Sequence, residues 1–217
     1  MTAQLALRTA LRDIVSPAAR GEGFKGSAPN WRLTNAQGDW AVTNVQSTMF
    51  SSSEDLRCVI NLAVAPAPWL AWKRETLGGL PKNIDESLGL YRARLNPLGT
   101  PPDADGWWRI RDSREATAAA EDMVQQLTAV GWPTIKRLMD RGALLEQVRS
   151  GDLGLIERSW SEGYFVRAEA VLIASDGPSP RLGGLLADLS QSAAEHEELH
   201  VRRFIAWVRK YAAQQTE

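Results

Sequence analysis

Apolar residues at Leu7, Leu11, Ile14 and Val15 follow helical spacing, and Thr2 stands where an N-cap is needed. The pattern predicts an opening helix that Pro17 limits or kinks and that ends at Gly21 and Gly23. The period then changes. Residues 30–34 and 39–48 read as short strands around an Asn/Gly/Asp turn at 35–39, and 51–55 reads as a polar connector. Residues 56–65 alternate: Cys58, Ile60, Leu62 and Val64 fall on one face, and Val59, Asn61 and Ala63 on the other. A short helix is expected over 66–76 and strands over 90–95 and 107–111, separated by a Pro/Gly/Asp-rich loop at 96–106.

After Ile110 the helical period returns. Asp112 with Glu115 three residues on has the form of a capped start, and Gly131 with Pro133 the form of a stop. Further helices are expected over 134–140, 142–150, 164–174 and 182–213, the last in one or two pieces. Strands joined by short connections pair antiparallel. The expected fold class is therefore α+β, an antiparallel sheet of about four to five strands with an N-terminal helix and a mostly helical C-terminal half. The change near Asp112 is a change of element type and not a linker. We expect one domain over 1–217, with a helix-plus-sheet part to residue 111 and a helical part after it.

Composition narrows the classes. The chain has 217 residues, 44% hydrophobic and 24% charged, as ordinary globular proteins do. A net charge of -1 gives no field for nucleic acid, so no nucleic-acid partner is expected. The run around residues 59–72 is broken by Asn61, Pro66 and Pro68, so no membrane span is expected, and Arg8, Arg12 and Asp13 interrupt the N-terminal apolar pattern, so no signal segment is expected. A lone cysteine, Cys58, on the apolar face of a strand reads as a small buried hydrophobe, compatible with a cytoplasmic location. Nine tryptophans supply core and boundary packing, or an aromatic binding surface.

One set of residues carries a family likeness. Gly23-Phe24-Lys25-Gly26, Asn30-Trp31, the run from Trp40 to Gln46, the run from Val59 to Val64, and Trp107-Trp108 before a capped helix resemble a bacterial family of domains of unknown function, number 4304. The likeness covers about residues 1–135. It implies a soluble α+β domain and carries no catalytic residues. By analogy it admits an immunity-type protein that binds a toxin.

Two constellations carry chemistry. His196-Glu197-Glu198-Leu199-His200 has the His-Glu-x-x-His spacing. On one helix both imidazoles would share a face and could ligate zinc, with Glu197 as general base of a hydrolase. The motif lacks the downstream third ligand that such sites need, and its middle position carries the charge of Glu198. The bland alternative packs His196 and His200 beside Ala193, Phe204, Trp207 and Tyr211. The second constellation is on the sheet. Asn44, Gln46 and Asn61 are expected on one face, with Trp31, Trp108 and Arg92 nearby, where they would suit a small polar ligand or peptide unless they satisfy one another. The preferred function is a non-enzymatic binding or protein-interaction module without a cofactor, its partner a protein or a small polar ligand. A zinc-dependent hydrolase is the alternative. The pattern leaves the oligomeric state open.

Overall fold

The computed structural model describes residues 2–48, 52, 54–101 and 104–216, apart from the side chains of Trp160 and Glu195. Ser51 and Ser53 of the expected connector, and Pro102 and Asp103 of the expected loop, lie outside the described residues.

Thr2 accepts the Leu5 amide at 3.3 Å and starts α1 (Ala3–Ala10). The chain then passes through a π-turn (Leu11–Val15) into α2 (Ser16–Gly21). A proline inside an α-helix removes one hydrogen bond, and its ring strikes the carbonyl one turn back. The wider π-turn just before Pro17 moves those carbonyls aside, so the helix runs on. Ser16 Oγ donates to the Leu11 carbonyl at 3.0 Å and accepts the Trp31 indole N–H at 3.2 Å, which ties the bulge to the sheet.

The sheet is antiparallel throughout, in the order β1 (Lys25–Ser27), β2 (Asn30–Thr34), β3 (Trp40–Ser47), β4 (Leu56–Ala65), β5 (Tyr91–Leu95). A short strand, β6 (Trp108–Ile110), pairs with the first residues of β4, on from where β5 leaves off. Trp31, Ala41, Val45, Cys58, Ile60, Leu62 and Val64 point to one face and enter the main core. Helices α1–α2 and α4 (Ser113–Gln126) cover it. Val42, Ala63 and Ala65 point to the other face, under Leu70 of α3 (Ala67–Leu77) and Ile84 and Leu88 of the segment that follows.

Asp112 caps α4 by accepting the Glu115 amide at 2.8 Å, and Glu115 reaches back to the Arg111 amide at 2.9 Å. The expected stop at Gly131 and Pro133 is corrected. A second π-turn (Leu127–Gly131) carries the helix directly into α5 (Trp132–Arg137) past Pro133, as the first does past Pro17. Gly131 is needed there: a Cβ would stand 2.7 Å from Leu95 Cδ1 and 3.4 Å from Leu62 Cδ1, so the bare backbone lets the helix lie close on the sheet. The rest is helical: α6 (Arg141–Ser150), α7 (Glu162–Ala174), α8 (Pro180–Ser192) and α9 (Glu198–Ala213). Helix α7 is apolar nearly all round and sits inside this group, packed by α3, α6, α8 and α9. One continuous cluster of buried side chains runs from Ala3 to Ala212.

Candidate functional site

Register decides which of the expected sheet residues meet. Asn30, Asn44, Asn61 and Arg94 stand opposite one another across β2, β3, β4 and β5. Asn44 Nδ2 donates to Asn30 Oδ1 at 2.7 Å. Asn61 Nδ2 donates to Gln46 Oε1 at 2.8 Å and to Asn44 Oδ1 at 3.3 Å. The three expected amides therefore share a face and join a fourth, Asn30. Arg92 is on that face, one row along beside Ala63. The expected tryptophans are not. Trp31 pairs with Thr43 and Trp108 with Cys58, so strand alternation turns both rings into the core on the opposite face. Their indole N–H groups donate to Ser16 Oγ and to Asp122 Oδ2, and they are corrected from ligand contacts to packing residues. Trp107, with the Arg94 guanidinium 5.8 Å from its ring centroid, and Trp40, which has the strand parity of Val42 and Asn44, are aromatic side chains on the amide face. Asn44 and Asn61 are buried, and their bonds run to other amides of the row.

The histidine motif is divided between two elements. Helix α8 ends at Ser192, His196 lies in a 3₁₀ turn (Glu195–Glu197), and His200 lies in the first turn of α9. Both imidazoles are exposed, and His200 meets the Trp72 ring edge-on at 6.0 Å. Glu197 occupies the N-cap position of α9 without a side-chain capping bond. Among the described residues, no three His, Cys, Asp or Glu side chains are grouped to hold a metal ion. Cys58 is buried and its thiol is pushed up to about 12 by desolvation, so it stays protonated and inert at neutral pH.

A site that sequence reasoning missed lies between α3 and α9. It is a groove of about 560 Å³ lined by Trp72, Glu75, Thr76, His200, Arg203, Trp207 and Lys210, with Ala206 between. Its floor is aromatic. Trp72 packs edge-on against Phe204 at 5.0 Å and tilted against Trp207 at 5.3 Å, and Trp207 stacks on Tyr211 at 5.0 Å. Its walls are charged. Glu75, Arg203 and Lys210 are exposed, and none has an ion-pair or hydrogen-bond partner among the described residues. Positions 203 and 210 are two turns apart, so both cations stand on one side of α9. The only local signal for this site is α3 itself, whose Trp69, Leu70 and Trp72 give it apolar residues on several sides; a helix of that kind is surrounded.

The polar groups that are fully spent lie elsewhere. The Asp39 carboxylate accepts the Ala67 amide at 2.7 Å, Asn35 Nδ2 at 3.1 Å and Arg141 Nη2 at 2.8 Å. It caps α3 and holds the start of α6. No helix among the described residues is long and apolar enough to cross a membrane. No curated protein and no solved structure matches the chain. The model of a family described as a domain of unknown function (DUF4304) matches residues 15–137, which takes in α2, the whole sheet, α3 to α5 and the second π-turn, and the chain belongs to that family.

Proposed function

We propose that the protein is a non-enzymatic protein-interaction module and that the groove between α3 and α9 receives its partner. The observation that carries this reading is the state of the groove's side chains: an aromatic floor with Glu75, Arg203 and Lys210 unpaired around it. Three unpaired charged groups gathered around half-buried ring surface fit an interface. The outward side of α9 continues the same chemistry. Leu199, Arg202, Arg203, Ala206, Arg209 and Lys210 are all exposed there, and Glu198, the acid of that helix, is paired with Arg202 at 2.8 Å. Cations around an aromatic slot suit an acidic segment that offers one apolar or aromatic anchor.

The test is a displayed peptide library selected on the full chain. Enriched peptides should be acidic with a single large apolar residue. They should bind at least tenfold more weakly to the double variant Arg203→Glu/Lys210→Glu, with its thermal unfolding unchanged. Failure to enrich such peptides, or equal binding by the folded variant, would overturn the proposal.

A further inference from the structure

From α1 to α2 the chain carries Arg8, Arg12, Ser16 and Arg20, each four residues from the next. In a straight α-helix each such step overshoots a full turn by about 40°, so three steps would wind the line about 120° round the axis. The π-turn at Leu11–Val15 holds one extra residue, which takes back about 100° of that winding. The bulge that lets the helix pass Pro17 thus also keeps the three arginines on one side of it. They line a groove of about 450 Å³ together with Thr9, and Ser27 and Ala28 line it from the β1–β2 hairpin. Leu5, one turn before Arg8, is the large apolar side chain of the groove and is 52% exposed.

The donors of this groove are uncommitted. Arg8 and Arg20 are exposed, and neither has an ion-pair or hydrogen-bond partner among the described residues. The Thr9 and Ser27 hydroxyls have none either. Arg12 donates to Asp13 through Nε at 2.6 Å and Nη2 at 2.8 Å, which leaves its Nη1 to face a ligand. The two acids of this stretch are engaged, Asp13 by Arg12 and Glu22 by Lys136 of α5. Like charges four apart on a helix, as Arg8 and Arg12 are, repel each other. A single solvated arginine needs no explanation. Three of them brought to one concave wall by a π-turn, a device that recurs at functional sites, point to an anion.

We propose that the groove between α1–α2 and the β1–β2 hairpin binds an oligophosphate, a ligand with two or more phosphoryl groups in a row. Arg8 and Arg20 leave the helix about three turns apart, further than the oxygens of one phosphate reach, whereas successive phosphoryl groups present oxygens along a line. Guanidinium forks hold such oxygens two at a time, and the Thr9 and Ser27 hydroxyls donate between them. A lone carboxylate is too short for the groove and carries one charge. Free inorganic oligophosphates and the tail of a nucleotide share this chemistry; for a nucleotide, Leu5 and Ala28 offer apolar surface to the rest of the ligand. The groove shares no lining residue with the one between α3 and α9, so either reading can fail alone.

The probes are inorganic tripolyphosphate and adenosine triphosphate, titrated by calorimetry into the full chain at constant ionic strength without magnesium, with citrate as a polycarboxylate comparison. The expected result is saturable binding of one probe molecule per chain, at least tenfold tighter than citrate. It should be at least fivefold weaker in Arg8→Gln and in Arg20→Gln, whose thermal unfolding should match the wild type because both side chains are exposed and unpaired. If one variant does not fold, the other decides. The Arg203→Glu/Lys210→Glu protein loses more positive charge, but outside this groove, and should bind as the wild type does. Adenosine triphosphate binding tighter than tripolyphosphate supports the site with a nucleotide as its ligand; equal or weaker binding supports it with a free oligophosphate. No saturable binding of either probe, citrate binding as tightly as the better probe, binding unchanged in the folded arginine variants, or an equal loss in Arg203→Glu/Lys210→Glu would each overturn the proposal.

Discussion

Asp39 and the α3/α9 groove both bring charge against helix α3, and they do it in opposite ways. Asp39 has 1% of its side chain exposed, and its oxygens take an amide of α3, the side-chain amide of Asn35 and the Arg141 guanidinium. In the groove, Glu75, Arg203 and Lys210 are exposed and unpaired over a floor of rings. A buried charge is tolerated only when it is fully satisfied, and once satisfied it has nothing left for a ligand. Exposed charges cost the fold little and keep their bonding capacity. The contrast separates charge that builds the molecule from charge available to a partner.

The largest effect is expected at Asp39. Asp39→Ala leaves Arg141 partly buried and alone, uncaps α3 and strands Asn35. It should lower unfolding stability by about 3–5 kcal/mol, the range for breaking a buried pair from one side. Urea denaturation measures it. A loss under about 1 kcal/mol would mean that the cluster is not structural, and the comparison would lose one of its arms.

The amide row stands between the two extremes. Asn61 donates to both Asn44 and Gln46, so Asn61→Ala leaves two acceptors without their donor, one of them buried. The expected cost is about 1–3 kcal/mol. Gln46 is exposed, and Gln46→Ala should stay within about 0.5 kcal/mol. An Asn61→Ala protein of unchanged stability would move the row from the structural arm to the ligand-binding one.

The strands were legible because β4 alternates apolar and mixed positions over ten residues, and that period needs no knowledge of its neighbours. The sharing of a face by Asn44, Gln46 and Asn61 follows from the same parity. The side taken by Trp31 and Trp108 does not, since it depends on the pairing of β2 with β3 and of β6 with β4. Gly131 and Pro133 have every local feature of a helix end. The π-turn that carries the chain past them is held by packing against Leu62 and Leu95, which are far away in sequence. The groove joins Trp72 to Trp207, a tertiary meeting without a local signature. The histidine motif shows the converse. Its spacing is local and plain, but a break between α8 and α9 puts His196 in another element from His200.

A small effect on stability is expected at Glu169, and it is the most informative in its pH dependence. Glu169 on α7 is buried, but its partners Arg149 and Arg181 are 46% and 64% exposed, so solvent screens this cluster more than it screens the pair of Asp39 with Arg141, which is 26% exposed. Burial by itself would raise the Glu169 pKa, and the hydrogen bonds and charges of Arg181 and Arg149 outweigh it and hold the carboxylate below its usual range. A carboxylate depressed in the folded state binds fewer protons there than in the unfolded chain. Its stabilisation is therefore fully present above the unfolded value, about 4.3, and is lost as pH falls through the folded one. Glu169→Gln should cost about 1 kcal/mol or less at pH 7. The gap between wild type and variant should then narrow as pH falls below about 4.3, with Asp39 left intact in both proteins. Denaturation curves across that range measure the gap. A gap that stays constant with pH would show that Glu169 contributes through packing and not through its charge. The α7 cluster would then stand with the screened charges of the groove, and Asp39 would be left as the charge on which the fold depends.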